Sequence, residues 1–127
     1  MDYVLDTHVL LWAMFEPKKL SQFTQEILTS RDLRKFISIS SMWEIAMKNR
    51  IGKLPLPMGI ANVFSMAEFI NIGLIDISQR YIEVYSTLPL LHRDPFDGII
   101  VATALSEKMT IVTADENIQK YDVPWVW

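Results

Sequence analysis

Four acidic residues stand beside short apolar runs of the chain, where their carboxylates could bind a metal ion. Asp6 follows "YVL" directly, and Glu44 lies in the first turn after "KFISIS". Asp97 begins "DGIIVATALSEKM", and Asp115 follows "TIVTA". Carboxylate oxygens are hard ligands that suit Mg²⁺ or Mn²⁺. The alternative to such a carboxylate site, a zinc cluster, is excluded because the chain has no cysteine and only two histidines.

The elements that must position these residues alternate between strand-like and helix-like segments. Strands are predicted at 3–5, 35–40, 74–78 and 110–114, with a terminal strand in "VPWVW". Helices are predicted at 8–15, 21–30, 41–52, 60–73, 79–88, 97–109 and 115–121. Helical segments rather than tight turns separate the strands, which predicts an α/β fold with a parallel sheet flanked by helices. No repeat or linker interrupts the 127 residues, so residues 1–127 are expected to form one domain.

A parallel sheet collects its site at the edge where the strands end. Asp6, Glu44 and Asp115 all follow strands, and Asp97 begins a helix that runs antiparallel to them. We therefore expect the four carboxylates to converge, where they would repel each other without a cation. An Mg²⁺ or Mn²⁺ ion there would neutralise phosphate charge and activate water for attack on phosphorus.

Helix capping is the alternative interpretation for each acid taken singly. "SMWE" at 41–44 fits a capping box, and "DPFD" at 94–97 places Asp94 at an N-cap and Asp97 at N3. Asp115 is a credible N-cap, and Asp6 with Thr7 could cap the first helix. Capping does not explain why all of these acids concentrate at one sheet edge.

The amino-acid composition limits which binding partners and which cellular compartment are expected for this chain. Net charge is −3, but setting aside Asp94 and the four acids above leaves +2, with Lys48, Arg50, Lys53 and Arg93 as the most concentrated positive charges. No apolar run approaches the ~20 residues of a membrane span, and the amino terminus lacks the basic region of a signal peptide. A cytoplasmic protein without membrane contact is expected. Half of the residues are apolar, which favours a homo-oligomer or a cognate binding protein.

Four segments in the same order resemble PIN-domain proteins, and among them the VapC-type ribonuclease toxins of bacterial toxin–antitoxin pairs. They are "VLDTHVLLW", "SISSMWEIAMKNRIGKL", "LPLLHRDPFDGIIVATA" and "IVTADENIQKYDV", and they cover essentially the whole chain. The resemblance implies a three-layer α/β/α sandwich, PIN-like and Rossmann-like, and Mg²⁺-dependent endonuclease action on RNA. Gly98 departs from the pattern, since related chains often carry a larger residue there.

The resemblance also implies a role for each matching residue. Asp6, Asp97 and Asp115 would hold one Mg²⁺ or two, and Glu44 would ligate the metal or polarise the attacking water. The auxiliary residues would be Asp94, Thr7 and Thr113, and the contacts to RNA phosphates would come from Lys48, Arg50 and Arg93. His92 is expected to make a structural hydrogen bond. A small antitoxin would pack over the site, on "VLLWAMF" or "IANVFSMAEFI" unless these bury in the core, and a homodimer is expected.

Other functional classes fit less well. A receiver domain would need a lysine at the end of a late strand, and a haloacid-dehalogenase-type phosphotransferase would need Asp-x-Asp after the first strand, where this chain has Asp6-Thr7-His8. No glycine-rich nucleotide motif is present. A catalytically inactive PIN-like module that binds RNA or protein is the remaining alternative, and the retention of all four acids argues against it.

Overall fold

The computed structural model describes residues 1–127 as an alternation of strands and helices. The elements are β1 (Asp2–Leu5), α1 (Thr7–Phe15), α2 (Gln22–Thr29), β2 (Arg34–Ser38), α3 (Ile39–Arg50), α4 (Ile60–Phe69), β3 (Ile72–Ile75), α5 (Gln79–Thr87), α6 (Pro95–Glu107), β4 (Thr110–Val112), α7 (Glu116–Gln119) and β5 (Trp125–Val126). A short 3₁₀ turn, Pro17–Lys19, joins α1 to α2. None of the helices combines the length and the apolar character that crossing a bilayer requires.

All five strands are parallel, and their order in the sheet is β3-β2-β1-β4-β5. Leu5 at the end of the central strand pairs with Ile37 of β2 and Val112 of β4. The residues that follow these three in the chain are Asp6, Ser38 and Thr113. They therefore lie at the same edge of the sheet. The prediction of a parallel sheet is confirmed.

Two apolar clusters cover the two faces of the sheet. Tyr3 and Leu5 of β1 point into a cluster with residues of α1, α2, α3 and α4. Val4, between them, points into the other cluster, with residues of α6 and α7. This alternation is what a strand buried on both faces requires, and it gives the three-layer α/β/α sandwich that the sequence predicted.

The boundary between α4 and β3 differs from the prediction of a helix to 73 and a strand at 74–78. The helix ends at Phe69, Asn71 takes a left-handed conformation (φ 62°), and the strand occupies Ile72–Ile75. Gly73 does not end the helix but lies in the strand, where an added Cβ would come within 2.9 Å of the Phe36 ring. Close packing against Phe36 therefore explains this glycine better than a helix cap does.

The start of α3 also differs from the prediction. The strand expected at 35–40 ends at Ser38, and the Ser38 side chain caps α3 by accepting a hydrogen bond from the Ser40 amide at 3.1 Å. The capping box that is the alternative interpretation of "SMWE" is therefore not formed, and Glu44 lies in the second turn of α3 without a capping role.

The apolar helices and the tryptophans divide between core and surface. Val9, Leu10 and Leu11 of α1 are buried, and the rest of "VLLWAMF" is partly buried against the first cluster, which favours the core interpretation of this segment over a docking surface. Trp12 and Trp127 meet edge to face at 5.8 Å and pack against the first cluster. Trp43 and Trp125 are exposed and lie outside the core.

Candidate metal and active site

The four acids predicted from the sequence lie where strands end or helices begin at the carboxyl edge of the sheet. Asp6 follows β1, Glu44 projects from α3, Asp97 lies in the first turn of α6, and Asp115 follows β4. The side chains of Asp6, Glu44 and Asp97 are almost fully buried, with 4%, 3% and 6% of each residue exposed. Asp115 is half-buried. Burying carboxylates this deeply is costly unless each has a partner.

Asp6 occupies the N-cap position of α1, but its side chain makes no capping hydrogen bond. Its Oδ2 accepts a hydrogen bond of 2.9 Å from the Thr113 hydroxyl, and that hydroxyl accepts one of 2.9 Å from the Asp115 amide. Thr113 thus connects the first acid to the fourth. Burial raises the pKa of Asp6 to about 6, and the charges of Asp115 and Glu44 contribute to this rise.

Glu44 is held at both of its oxygens. Its Oε1 accepts from the Thr7 hydroxyl at 2.7 Å, and its Oε2 accepts from Lys48 Nζ at 2.6 Å. Thr7 is in turn hydrogen-bonded to the Ser41 hydroxyl at 2.8 Å. The hydrogen bond to Glu44 raises the pKa of Lys48. The predicted site did not include Ser41, for which the capping alternative was the one role considered.

Asp97 is the most perturbed of the acids. Burial raises its pKa to about 8, and the charges of Asp94, Asp6, Asp115 and Glu44 add to the effect of burial. This mutual influence is the electrostatic evidence that the carboxylates occupy one region. His92 Nε2 lies 3.1 Å from Asp97 Oδ2 at the start of α6, and the hydrogen bond expected of His92 stays a prediction.

Asp94 and Asp115 do act as helix caps. Asp94 Oδ1 accepts from the amides of Phe96 and Asp97, and Asp115 Oδ1 accepts from the amide of Asn117 at 2.8 Å. The capping interpretation is therefore correct for these two. It does not exclude a further role, because each cap uses one carboxylate oxygen and leaves the other.

One trio is arranged closely enough to share an ion. His92, Asp94 and Asp97 each offer a ligand atom, and these three atoms lie within 4.8 Å of one another. The sequence analysis did not consider His92 as a ligand. The signal that could have identified it is the spacing H-x-D-x-x-D, with the two aspartates at the N-cap and N3 of α6.

The donor set fits a hard divalent cation. No lysine or arginine pairs with Asp6, Asp94, Asp97 or Asp115, and the one basic side chain in contact with any of them is His92, beside Asp97. Their unpaired oxygens are the ligands that Mg²⁺ and Mn²⁺ prefer. The chemistry of the residues present thus accommodates such an ion at this edge.

The predicted basic residues differ in burial and in pairing. Lys48 is half-buried and paired with Glu44, whereas Arg50 and Arg93 are exposed and take part in no ion pair. A cavity of about 200 Å³ adjoins Glu44, and it is lined in part by Thr7, His8, Lys48 and Lys53. Two lysines therefore face a space that opens beside the acids.

Comparison with known families gives one match that spans most of the chain. The family model described as "PIN domain" matches residues 3–124. A comparison with curated protein sequences finds no significant match.

Solved structures with the same fold cover nearly the full length. VapBC2 from Rickettsia felis, bound to a DNA fragment from its promoter, has a TM-score of 0.74 at 18% identity, covering 99% of this chain and 98% of that chain. A toxin–antitoxin complex from Klebsiella pneumoniae has a TM-score of 0.66 at 18% identity, with 98% and 96% covered. VapBC-1 from nontypeable Haemophilus influenzae has a TM-score of 0.65 at 17% identity, with 99% and 97% covered. At these identities the likeness is one of fold.

Proposed function

The chain belongs to the PIN-domain family, and from that premise we propose that it is a metal-dependent endoribonuclease acting as the toxin of a toxin–antitoxin pair. Residues 1–127 would form a single nuclease domain. The observation that carries the proposal is the burial of Asp6 and Asp97 at one sheet edge without a lysine or arginine to balance them. A site that only bound RNA would have no use for buried, uncompensated negative charge.

Asp6, Asp97 and Asp115 would hold the cation, with Asp94 and Glu44 beside them. Bound there, Mg²⁺ or Mn²⁺ would supply positive charge to the phosphate and make water more acidic. Thr113 would orient Asp6 through its hydroxyl, and His92 would orient Asp97 or join Asp94 and Asp97 as a ligand.

Glu44 would act on the attacking water. Thr7 and Lys48 fix the two oxygens of Glu44, each through a short hydrogen bond. Each oxygen retains a second lone pair, so Glu44 can still accept a proton from water that approaches the phosphorus. Thr7 would thereby be a positioning residue that acts through Glu44.

RNA phosphates would be bound beside the acids. Arg50 and Arg93 are exposed and have no acidic partner, so both are free to pair with phosphate. Lys48 would contact RNA from its place beside Glu44, where it lines the adjoining cavity with Lys53. These contacts would position the strand without reading its sequence.

The proposed toxin would have two protein partners, a cognate antitoxin and a second copy of the chain. Structural neighbours of the same fold are toxin–antitoxin complexes, which supports the first partner. Exposed Trp43, Met47 and Ile51 on one face of α3 support an interface of either kind. Its RNA substrate would place the protein in the cytoplasm.

The test is cleavage of structured RNA by the purified chain with Mg²⁺ or Mn²⁺. We expect cleavage to stop with EDTA and to fall by more than about 100-fold in Asp6→Asn and Asp97→Asn, since even residues that only orient metal ligands typically cost 10–100-fold. Asp122→Asn, an exposed acid outside the site, is the matched control and should cleave normally. Cleavage that persists in EDTA or in both variants would contradict the mechanism, and RNA binding without cleavage would favour the inactive module.

A further inference from the structure

A second concave site lies at the opposite edge of the sheet from the acids. This cavity, of about 750 Å³, is formed by the end of α2, the segment that leads into β2, and the residues around the start of β3. Arg34 begins β2 at this edge, whereas Ser38 ends the same strand at the acidic edge. Nothing in the proposed nuclease chemistry uses this region.

The charge of the cavity is opposite to that of the whole chain. Its lining contains Arg31, Arg34 and Lys35 and no acidic residue, although the net charge of the protein is −3. Arg34 is paired with Asp2, and its Nε lies 2.9 Å from Asp2 Oδ1. Arg31 is exposed and has no ion-pair partner. The cavity thus retains two positive charges that no carboxylate neutralises.

Lys35 is the unusual member of this group, because it is a buried cation. Only 5% of the residue is exposed, and burial lowers the pKa of its ammonium group. Its one recorded partner is the carbonyl oxygen of Ser30, the C-cap residue of α2. The negative end of that helix favours a cation there, but a carbonyl satisfies only one of the three N–H donors of the ammonium. An anion in the cavity would satisfy the others.

The lining of the cavity also includes apolar side chains. Leu28, Leu33 and Ile70 contribute to it together with polar residues such as Ser30 and Asn71. A volume of about 750 Å³ lies within the range of small-ligand sites. A ligand that suits both halves has an anionic end for the cations and a flat apolar group for the aliphatic wall, and a nucleotide has both.

We propose that this cavity binds a phosphate-bearing nucleotide, with the phosphate on Arg31 and Lys35 and the base against Leu28, Leu33 and Ile70. The nucleotide is either free or part of an RNA strand, since both present the same chemistry. The site stands apart from the metal edge, so it does not depend on the nuclease function.

The test is calorimetric titration of the full chain with ADP and, separately, with a 2′-O-methyl RNA oligonucleotide that resists cleavage. EDTA is present throughout, which leaves the acidic edge repulsive to phosphate and keeps the result independent of catalysis. Binding of ADP would identify free nucleotides as a source, and binding of the oligonucleotide alone would identify an RNA strand. Absence of binding by both at millimolar ligand would overturn the proposal.

Variants locate the binding. Arg31→Gln and Lys35→Met should each raise Kd by about tenfold or more, the effect of losing a charge-assisted hydrogen bond. The matched control is Lys120→Gln, which removes one positive charge at the end of α7, outside the cavity. It should leave Kd unchanged. Thermal melting checks that Lys35→Met folds. If Lys35→Met does not fold, Arg31→Gln alone tests the site, because substitution of the exposed Arg31 should leave the fold intact. Binding that neither Arg31→Gln nor a folded Lys35→Met weakens would overturn the assignment to this cavity.

Discussion

At the scale of single residues, the site is defined by carboxylates that the fold buries away from solvent. Asp6 has one hydrogen-bond donor, Thr113, and Asp97 has one partner, His92. Both carboxylates repel their acidic neighbours, which together with burial raises both pKa values above the ordinary 3.8. The acidic edge therefore lowers the stability of the folded state. This loss is relieved only when protons or a cation reduce the negative charge of the edge.

This arrangement predicts how stability depends on pH. The pKa of Asp6 is about 6 and that of Asp97 about 8, so the folded chain holds protons that the unfolded chain has already released above pH 4. The folded state binds more protons in this range, so these two groups contribute stability at low pH that is lost as pH rises through 6 and 8. We expect the Tm of the metal-free protein to fall between about pH 5 and about pH 8.5.

Mg²⁺ or Asp97→Asn should reduce that decline, because each removes the cost of ionising the buried carboxylate. Thermal melts across this pH range, with and without metal, check the prediction. A metal-free Tm that rises steadily toward pH 8.5, or a decline unchanged in Asp97→Asn, would show that these carboxylates are not buried as described.

Thr7 gives a second prediction at this scale. Thr7→Val keeps the shape of the side chain but removes the hydroxyl that binds Glu44 and Ser41. Leaving buried polar groups unpaired should lower the free energy of unfolding by about 1–3 kcal/mol. RNA cleavage should fall by about 10–100-fold, as for other residues that orient ligands.

Thr7→Ser is the matched control, because it restores the hydroxyl. Urea unfolding and cleavage rates measure the two effects separately. If Thr7→Val cleaves RNA as well as Thr7→Ser does, Thr7 does not position Glu44.

At the scale of elements, the cap of α3 controls where Glu44 lies. The Ser38 side chain caps this helix from the end of β2, so one residue ends the strand and begins the helix. Ser38→Ala should cost about 1 kcal/mol of unfolding free energy, the typical effect of losing an N-cap. It should also weaken Mn²⁺ binding, since Glu44 in the second turn of α3 is proposed to lie beside the metal.

The matched control is Ser21→Ala, which removes the N-cap of α2 away from the acidic edge. It should cost a similar free energy and leave Mn²⁺ affinity unchanged. Urea unfolding and Mn²⁺ titration of both variants check this. An equal loss of affinity in both would mean that general loosening, and not the placement of α3, is responsible.

Elements with clear patterns were predictable from the sequence, and boundaries set by tertiary packing were not. The strand before Asp6 and the helix that begins in "DPFD" combine strong apolar runs with residues that commonly mark the end of a strand or the start of a helix. Both elements are present in the structure. The end of α4 depends on Asn71 and on the contact of Gly73 with Phe36, a residue distant in sequence. Gly98 is similar, because a Cβ there would lie 2.4 Å from the Tyr85 ring, a contact that no local pattern reveals.

For the site, sequence position alone predicted that all four acids lie toward one edge of the sheet, as the elements that carry them do. It could not decide between capping and other roles, because Asp94 and Asp115 cap helices while Asp6 and Glu44 do not. Those outcomes depend on side-chain geometry. The contact of Ser41 with Thr7 links residues 34 positions apart in the chain, so it was not predictable from local spacing.

At the scale of the whole molecule, the exposed face of α3 bears on assembly. Trp43, Met47 and Ile51 are spaced four residues apart and exposed, and the Trp43 ring meets Phe96 at 5.2 Å. If this face is the dimer interface, Ile51→Glu should shift the protein from dimer to monomer in sedimentation equilibrium. Phe69→Glu removes an exposed apolar residue of α4 and should leave the dimer intact. A wild-type monomer, or a dimer that Ile51→Glu does not weaken, would contradict this assignment.

The central claim is that acids from distant parts of the chain share a divalent cation. Calorimetric titration of the apoprotein with Mn²⁺ tests it most directly, because it requires neither RNA nor a partner. The account predicts binding by the wild type that weakens by about tenfold or more in both Asp6→Asn and Asp97→Asn and is unchanged in Asp122→Asn. No binding at millimolar Mn²⁺, or binding that both site variants retain, would contradict it.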